Sequence, residues 1–237
     1  MKYFFLVGLP RTGNTLLSSI LNQNPTIKVS ANSILSDYIW KTYGFFYSDQ
    51  FKNFPDKKSI DNLLSSAFDT YYKDWDAKYI IDRGPWGTPL NLDLLKIYLK
   101  NEIKMICTVR DMVDIIASSR RIGLEDGNNM IEKFSRSLHH LLKEENRKYL
   151  HLVEYKDLIT STQKTIEGIY SFLNIEPYHH NYNHIDEFSA NGIKYDDSMY
   201  PNLHQVHPHI KSSSYRIKDI LSEEEIKKYS NKNFWRL

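Results

Sequence analysis

The sequence predicts a three-layer α/β sandwich, a central parallel sheet flanked by helices. Three observations lead there. Short apolar, β-branched runs alternate along the chain with stretches whose apolar residues recur at helical spacing. The first such run, Phe4-Phe5-Leu6-Val7, feeds a loop bounded by Gly8 and Gly13 and then a helix. Charged side chains follow directly after several of the runs, which collects them at the carboxyl edge of a parallel sheet, where open α/β sheets bind ligands. With 237 residues, 41% of them hydrophobic, the chain can fill one sizeable core. Residues 1–237 are therefore expected to be a single domain, loop-rich over 176–237.

The elements follow in order. The opening strand is read over 3–7 and its helix over 15–21. A second strand spans 27–30, where Ile27 and Val29 alternate with polar residues, and a third spans 78–81, before a helix at 92–99. The fourth, 104–109, is an unbroken apolar run through Met105-Ile106-Cys107, the pattern of a strand buried on both faces. A helix over 113–121 and a fifth strand over 150–154 come next. The helix over 162–173 carries Ile166, Ile169, Tyr170 and Leu173 on one stripe. Helices over 59–75 and 130–146 are expected outside the sheet. Between 176 and 215 the periodicity gives way to Pro, Asn, Asp, Gly and His, the composition of a binding loop or lid. A short helix over 222–228 and an aromatic anchor, Phe234-Trp235, end the chain.

Charge and cysteine content narrow the partners. The net charge is +2 with both signs interspersed and no polybasic run, so neither nucleic acid nor an anionic membrane is expected as a partner. The first strand starts within a few residues of Met1, leaving no space for a signal peptide, and no apolar run approaches the ~20 residues that span a bilayer. The single cysteine, Cys107, lies inside an apolar strand and cannot form an intrachain disulfide. A cytoplasmic protein is expected.

The chemistry is concentrated at the strand ends. In Gly8-x-x-x-x-Gly13-x-Thr15 consecutive backbone N–H groups converge, and the following helix adds its positive end, so an anion is held largely by main chain. The spacing is that of a nucleotide-binding P-loop except that Asn14 stands where such loops carry lysine, and the cation comes earlier, at Arg11. Arg83, Arg110 and Tyr155 follow the third, fourth and fifth strands. Ser118 lies two turns into the helix after Arg110; a guanidinium with planar paired donors and a hydroxyl can hold a second phosphate-type group. Arg110 could instead pair with Asp111 or Asp114, and Tyr155 could be a core aromatic.

Taken together, Pro10-Arg11-Thr12-Gly13-Asn14-Thr15-Leu16, the Arg110…Ser118 pair and Val153-Glu154-Tyr155-Lys156-Asp157-Leu158 resemble the sulfotransferases that use 3′-phosphoadenosine 5′-phosphosulfate (PAPS). The loop is similar to that of the tyrosylprotein, carbohydrate and many bacterial members. The resemblance implies a P-loop-like α/β fold and transfer of a sulfuryl group from PAPS to a small-molecule, glycan or peptide hydroxyl, with 3′-phosphoadenosine 5′-phosphate (PAP) as product and no metal. It places Arg11, Thr12, Gly13, Asn14, Thr15 and Leu16 at the 5′ end of the donor, Arg110 and Ser118 at the 3′-phosphate, and Tyr155 at the nucleotide. Lys211, with 212–214, would close over the donor. Arg11 and Arg83 would stabilise the transferred group; Arg83 stands where tyrosylprotein sulfotransferases carry a lysine. A P-loop nucleotide kinase or NTPase, or a non-catalytic nucleotide-binding protein, are the alternatives.

The acceptor hydroxyl needs a base, and here the pattern breaks. Where the tyrosylprotein enzymes carry a glutamate beyond the loop, this chain has Asn32, which cannot take a proton. Asp37, Asp82, His139, His140, His204 and His207 are the candidates. The histidines between 179 and 209 lack cysteine partners and a compact ligand spacing, so no metal site is expected there. Trp40, Tyr43, Phe45, Phe46, Tyr47, Trp86 and Tyr200 are candidates to line an acceptor cleft.

Overall fold

The computed structural model describes residues 1–124, 127–198, 203–211 and 215–236. Five strands, β1 (Lys2–Gly8), β2 (Ile27–Asn32), β3 (Tyr79–Arg83), β4 (Met105–Val109) and β5 (Leu150–Glu154), form one sheet in the order β2-β3-β1-β4-β5. Every pairing is parallel; Phe5 lies opposite Met105 on one side and Asp82 on the other. The helices are α1 (Asn14–Leu21), α2 (Leu35–Gly44), α3 (Asp49–Asn53), α4 (Lys57–Tyr71), α5 (Pro89–Tyr98), α6 (Met112–Arg120), α7 (Gly127–Leu141), α8 (Glu144–Arg147), α9 (Tyr155–Thr160), α10 (Thr162–Leu173) and α11 (Glu223–Ser230).

Strand geometry sends alternate side chains to opposite faces, and β1 shows what that does here. Phe4 and Leu6 enter a core with Leu17 and Ile20 of α1 and Ile166 and Ile169 of α10. Tyr3, Phe5 and Val7 enter the other, with Leu64 and Phe68 of α4, Leu92 and Leu95 of α5, and Ile115 of α6. Three layers result, with β1 buried on both faces.

Several boundaries differ from the sequence reading for identifiable reasons. α4 starts two residues early because Asp56 caps it, accepting from the Ser59 N–H at 3.1 Å. α5 begins at Pro89, whose fixed φ suits a first turn. The helix expected over 130–146 is two, α7 and α8. α2, α3 and α9 were not expected. α2 buries only Leu35, Ser36, Ile39 and Thr42, while Tyr38 and Trp40 are exposed, so its apolar stripe is masked by outward aromatics. Trp86, a candidate for an acceptor cleft, is a fully buried core residue instead.

The topology fixes where a ligand can sit. From β1 the chain crosses to β2 on one side of the sheet; from the adjacent β4 it runs to β5 on the other. The loops after β1 and β4 thus part over a crevice at their carboxyl ends, the switch point at which open α/β sheets bind.

Candidate active site

The loop after β1 is held by its glycines and by buried polar side chains. Gly8 has φ +130°, and a Cβ there would lie 2.8 Å from the Thr108 carbonyl oxygen of β4. Gly13 has φ +90°, and its Cβ would lie 2.7 Å from the Tyr155 ring. Both are conformations and approaches that glycine alone tolerates. Between them Arg11 takes φ +63°, a left-handed conformation uncommon for a long side chain and typical of loops held for function. The buried Thr12 hydroxyl donates to the Leu9 carbonyl at 2.8 Å and lies 2.6 Å from the Thr108 hydroxyl. Asn14 Nδ2 donates to the same Leu9 carbonyl at 2.9 Å, and its Oδ1 accepts from Thr108 at 2.6 Å.

Asn14 therefore turns inward and ties the loop to β4; what it offers a ligand is its main chain. The first turn of α1 has neither a side-chain cap nor an acidic residue, so its N–H groups and positive end are left for an anion.

Three arginines share a cavity of about 790 Å³ over this crevice. Arg11 Nε donates to Ser118 Oγ at 3.1 Å, and its Nη1 donates to the Leu203 carbonyl at 2.6 Å. Arg110 is only 8% exposed. Its Nη1 donates to the Arg11 carbonyl at 3.2 Å, its Nη2 to Tyr215 Oη at 3.2 Å, and its guanidinium lies 4.3 Å from the Tyr155 ring centre. Asp114 stands 3.9 Å from Arg110, the pairing that the sequence left open. Arg83 ends β3 and donates from Nη1 to Tyr195 Oη at 2.8 Å. Burial first, and the neighbouring charge of Arg110 second, push the Arg11 pKa below its ordinary value. Cations crowded at a helix N-terminus out of bulk water suit an anionic ligand.

Gly13, Asn14, Thr15, Leu16, Tyr155 and Lys211 also line this cavity. Thr12 and Ser118 sit behind the lining, Thr12 bracing the loop and Ser118 reaching Arg11. Residues 212–214 and Tyr200 lie outside the described residues. Asn32, Ser33, Ser36, Asp37 and Thr88 line another part of the wall, and 203–207 another. The exposed Trp40, Phe45 and Tyr47 do not line it.

The base candidates separate sharply. Asp82 is fully buried; its carboxylate accepts from Trp86 Nε1 at 2.7 Å, Ser33 Oγ at 3.0 Å and the Tyr72 hydroxyl. It is a structural node rather than a base. The His139 ring stacks on Phe234 at 3.7 Å, and His140 Nε2 lies 3.2 Å from Asn146 Nδ2. Neither lines the cavity, whereas Asp37, His204 and His207 do.

Sequence reasoning missed Thr108, Tyr195, Asp197 and Leu203. Thr108 alone had a usable signal, a hydroxyl inside an otherwise apolar strand beside the loop. Among the described residues no three of His, Cys, Asp or Glu are grouped to hold a metal, and no helix is long and apolar enough to cross a membrane.

Comparison with solved structures places the fold. The sulfotransferase domain of the curacin biosynthetic pathway is 19% identical with a TM-score of 0.54, covering 75% of each chain. That of the Synechococcus PCC 7002 olefin synthase is 17% identical with a TM-score of 0.52, covering 95% of this chain and 82% of its own. Sulfotransferase STF9 from Mycobacterium avium is 11% identical with a TM-score of 0.54, covering 100% and 76%. No curated protein matches the sequence. A family profile does: "Sulfotransferase family" matches residues 4–180, which take in β1 from Phe4 onward, the other four strands, the loop after β1, Arg83, Arg110, Ser118 and Tyr155. The match spans the loop and strand ends that form the crevice at the β1–β4 switch point, and this chain belongs to the sulfotransferase family.

Proposed function

We propose that this sulfotransferase moves a sulfuryl group from PAPS to an acceptor hydroxyl, binding the donor across the β1–β4 crevice. One observation carries the reading. Two signatures roughly a hundred residues apart meet in space: Arg110 donates to the Arg11 carbonyl at 3.2 Å, and Arg11 donates to Ser118 at 3.1 Å. One adenosine bisphosphate is small enough to touch both.

In this reading the N–H groups at the start of α1 and Arg11 receive the 5′ end of the donor, Arg110 and Ser118 the 3′-phosphate, and Tyr155 the nucleotide. Lys211 stands at the cavity wall as a further cation. Sulfuryl transfer builds negative charge on the bridging and equatorial oxygens, and Arg11 and Arg83 are fixed cations positioned to oppose it. By analogy with phosphoryl transfer, catalysis is mostly positioning and electrostatics, and no metal is invoked.

The acceptor is a small-molecule, glycan or peptide hydroxyl that enters past Asn32, Ser33, Ser36 and Thr88. The reaction belongs in the cytoplasm, where Cys107, its thiol pushed up to about 12 by burial, stays unreactive. A nucleotide kinase or NTPase would want a lysine reaching the phosphates from position 14, and the inward-turned Asn14 speaks against it.

Calorimetry tests the donor site. The protein should bind PAP in the absence of magnesium, and Arg110→Ala should weaken that binding by about 2–5 kcal/mol, the usual cost of truncating a buried, hydrogen-bonded charge. Tight binding of ATP–Mg²⁺ with no affinity for PAP would replace this reading with the kinase one. Incubation with labelled PAPS and a cell extract then separates a transferase from a protein that only binds the nucleotide.

A further inference from the structure

We propose that His204, oriented by Asp197, is the general base that removes the proton from the acceptor hydroxyl. The proposal rests on the sulfotransferase reading above and supplies the group that Asn32 cannot be.

The geometry is that of a held imidazole. His204 Nδ1–H donates to Asp197 Oδ1 at 2.6 Å, and the other oxygen of the same carboxylate accepts the His204 backbone N–H at 2.9 Å. One face of the ring lies on Tyr195, with centroids 3.6 Å apart and planes 6° from parallel. Two neighbours of the ring lead to the arginines: Tyr195 Oη, under its face, accepts from Arg83, and the carbonyl of Leu203, the preceding residue, accepts from Arg11. A ring fixed by one edge and one face, tied through its neighbours to two cations, lines the same cavity as they do.

With Nδ1 committed to Asp197, the lone pair is on Nε2, which makes no hydrogen bond to any described residue. This is the tautomer a base needs, set by the partner of the opposite nitrogen.

The charged groups around the ring favour its neutral form. Burial, then the charges of Arg83 and Arg11, lower the His204 pKa against the opposing pull of Asp197. Burial raises the Asp197 pKa, but the bonds from His204 outweigh it and keep the carboxylate ionised. The step balances. Nε2 takes the acceptor proton as the acceptor oxygen forms its bond to sulfur. The bond from sulfur to the bridging oxygen breaks, leaving that electron pair on the 5′-phosphate of PAP. The imidazolium, facing Asp197, then returns its proton to water.

No other candidate has this set. Asp82, His139 and His140 do not line the cavity, while Asp37 and His207 line it but are exposed, with no orienting partner among the described residues.

The test compares wild type, His204→Gln and Asp197→Asn in transfer of label from PAPS to a cell extract, together with PAP affinity by calorimetry. His204→Gln should lower transfer by about 10²–10⁴-fold, the range for losing a positioned base, with PAP affinity within about threefold of wild type. The wild-type rate should fall on the acid side as an imidazole protonates, and that limb should disappear in His204→Gln. In Asp197→Asn, which removes the charge that raises the imidazole pKa, the limb should move to lower pH.

Transfer by His204→Gln at the wild-type rate, or an unchanged acid limb, overturns the proposal while leaving the sulfotransferase reading intact. Loss of PAP binding in step with transfer reassigns His204 to donor binding and also overturns it. A wild-type chain that binds PAP and transfers nothing overturns both.

Discussion

Asn14 shows how one residue can separate two chemistries on the same loop. In an NTPase this position presents an ammonium to the phosphates; here it is 5% exposed and spans from the Leu9 carbonyl to Thr108 of β4. Asn14→Lys should therefore not create an ATPase. It would bury an ammonium where a neutral amide donated and accepted, and take the amide oxygen away from the Thr108 hydroxyl, which keeps only its contact with Thr12. An unpaired buried polar group costs about 1–3 kcal/mol and a buried charge more. Urea unfolding should show a loss of at least that size, with no ATP turnover gained. A variant as stable as wild type that hydrolyses ATP would mean that the side chain is free to face the ligand. The position of Asn14 was legible in the sequence, but its direction was not, because only the register of β1 against β4 brings Thr108 within reach.

Among the elements, β3 is coupled to its neighbours through a single carboxylate. Asp82 draws together Ser33 before α2, Tyr72 after α4, and Trp86 in the turn before α5. Burial pushes its pKa up to about 6, although hydrogen bonds from Tyr72, Trp86 and Ser33 pull the other way. A carboxyl with a raised pKa binds its proton more tightly folded than unfolded. Its contribution to stability is thus greatest below the unfolded value of 3.8 and declines as pH rises through the folded one. Asp82→Asn, which cannot ionise, should lack that slope. The stability of wild type relative to the variant should fall by up to about 3 kcal/mol between pH 4 and pH 7, the equivalent of the shift at 1.36 kcal/mol per unit. Denaturant unfolding across that range checks it, and a constant difference would place the Asp82 titration outside the window. The strands themselves were legible because β1 and β4 are continuous apolar runs buried on both faces. α2 and α9 were not, because each buries few side chains and the propensity signal is diluted by residues that face the cavity or solvent.

At the scale of the whole molecule, residues far apart in sequence complete the site. Arg11, Arg110, Ser118 and Tyr155 could be found from spacing, since each follows a strand. Tyr195, Asp197 and Leu203 could not, since irregular backbone carries no period from which a contact can be inferred, and His204 was legible only as one of six candidate bases. The C-terminal residues act at a further remove. Asn233 Nδ2 donates to Asp111 Oδ2 at 2.9 Å, while its Oδ1 accepts the Met112 N–H at 2.9 Å. Trp235 Nε1 and Arg236 Nη2 donate to the two Glu154 oxygens at 2.9 and 3.0 Å. Asp111 and Glu154 adjoin Arg110 and Tyr155, so the end of the chain clamps the ends of β4 and β5 just behind the proposed donor site. Trp235 is 7% exposed and belongs to the core on the Phe5 side of the sheet. Trp235→Ala should cost about 3–5 kcal/mol, as for other large-to-small core changes. It should also weaken PAP binding, although Trp235 does not line the cavity. Trp235→Phe keeps most of the packing and loses one hydrogen bond, about 1 kcal/mol. The Glu154 carboxylate, raised by burial but lowered further by Arg236 and Trp235, adds a pH dependence of its own. Its stabilisation is present above the ordinary value of 4.5 and is lost as pH falls through the lower folded value. Thermal melts of the two variants with and without PAP decide the point. If Trp235→Ala melts lower while PAP raises its melting temperature as much as it does for wild type, the clamp stabilises the fold without shaping the site.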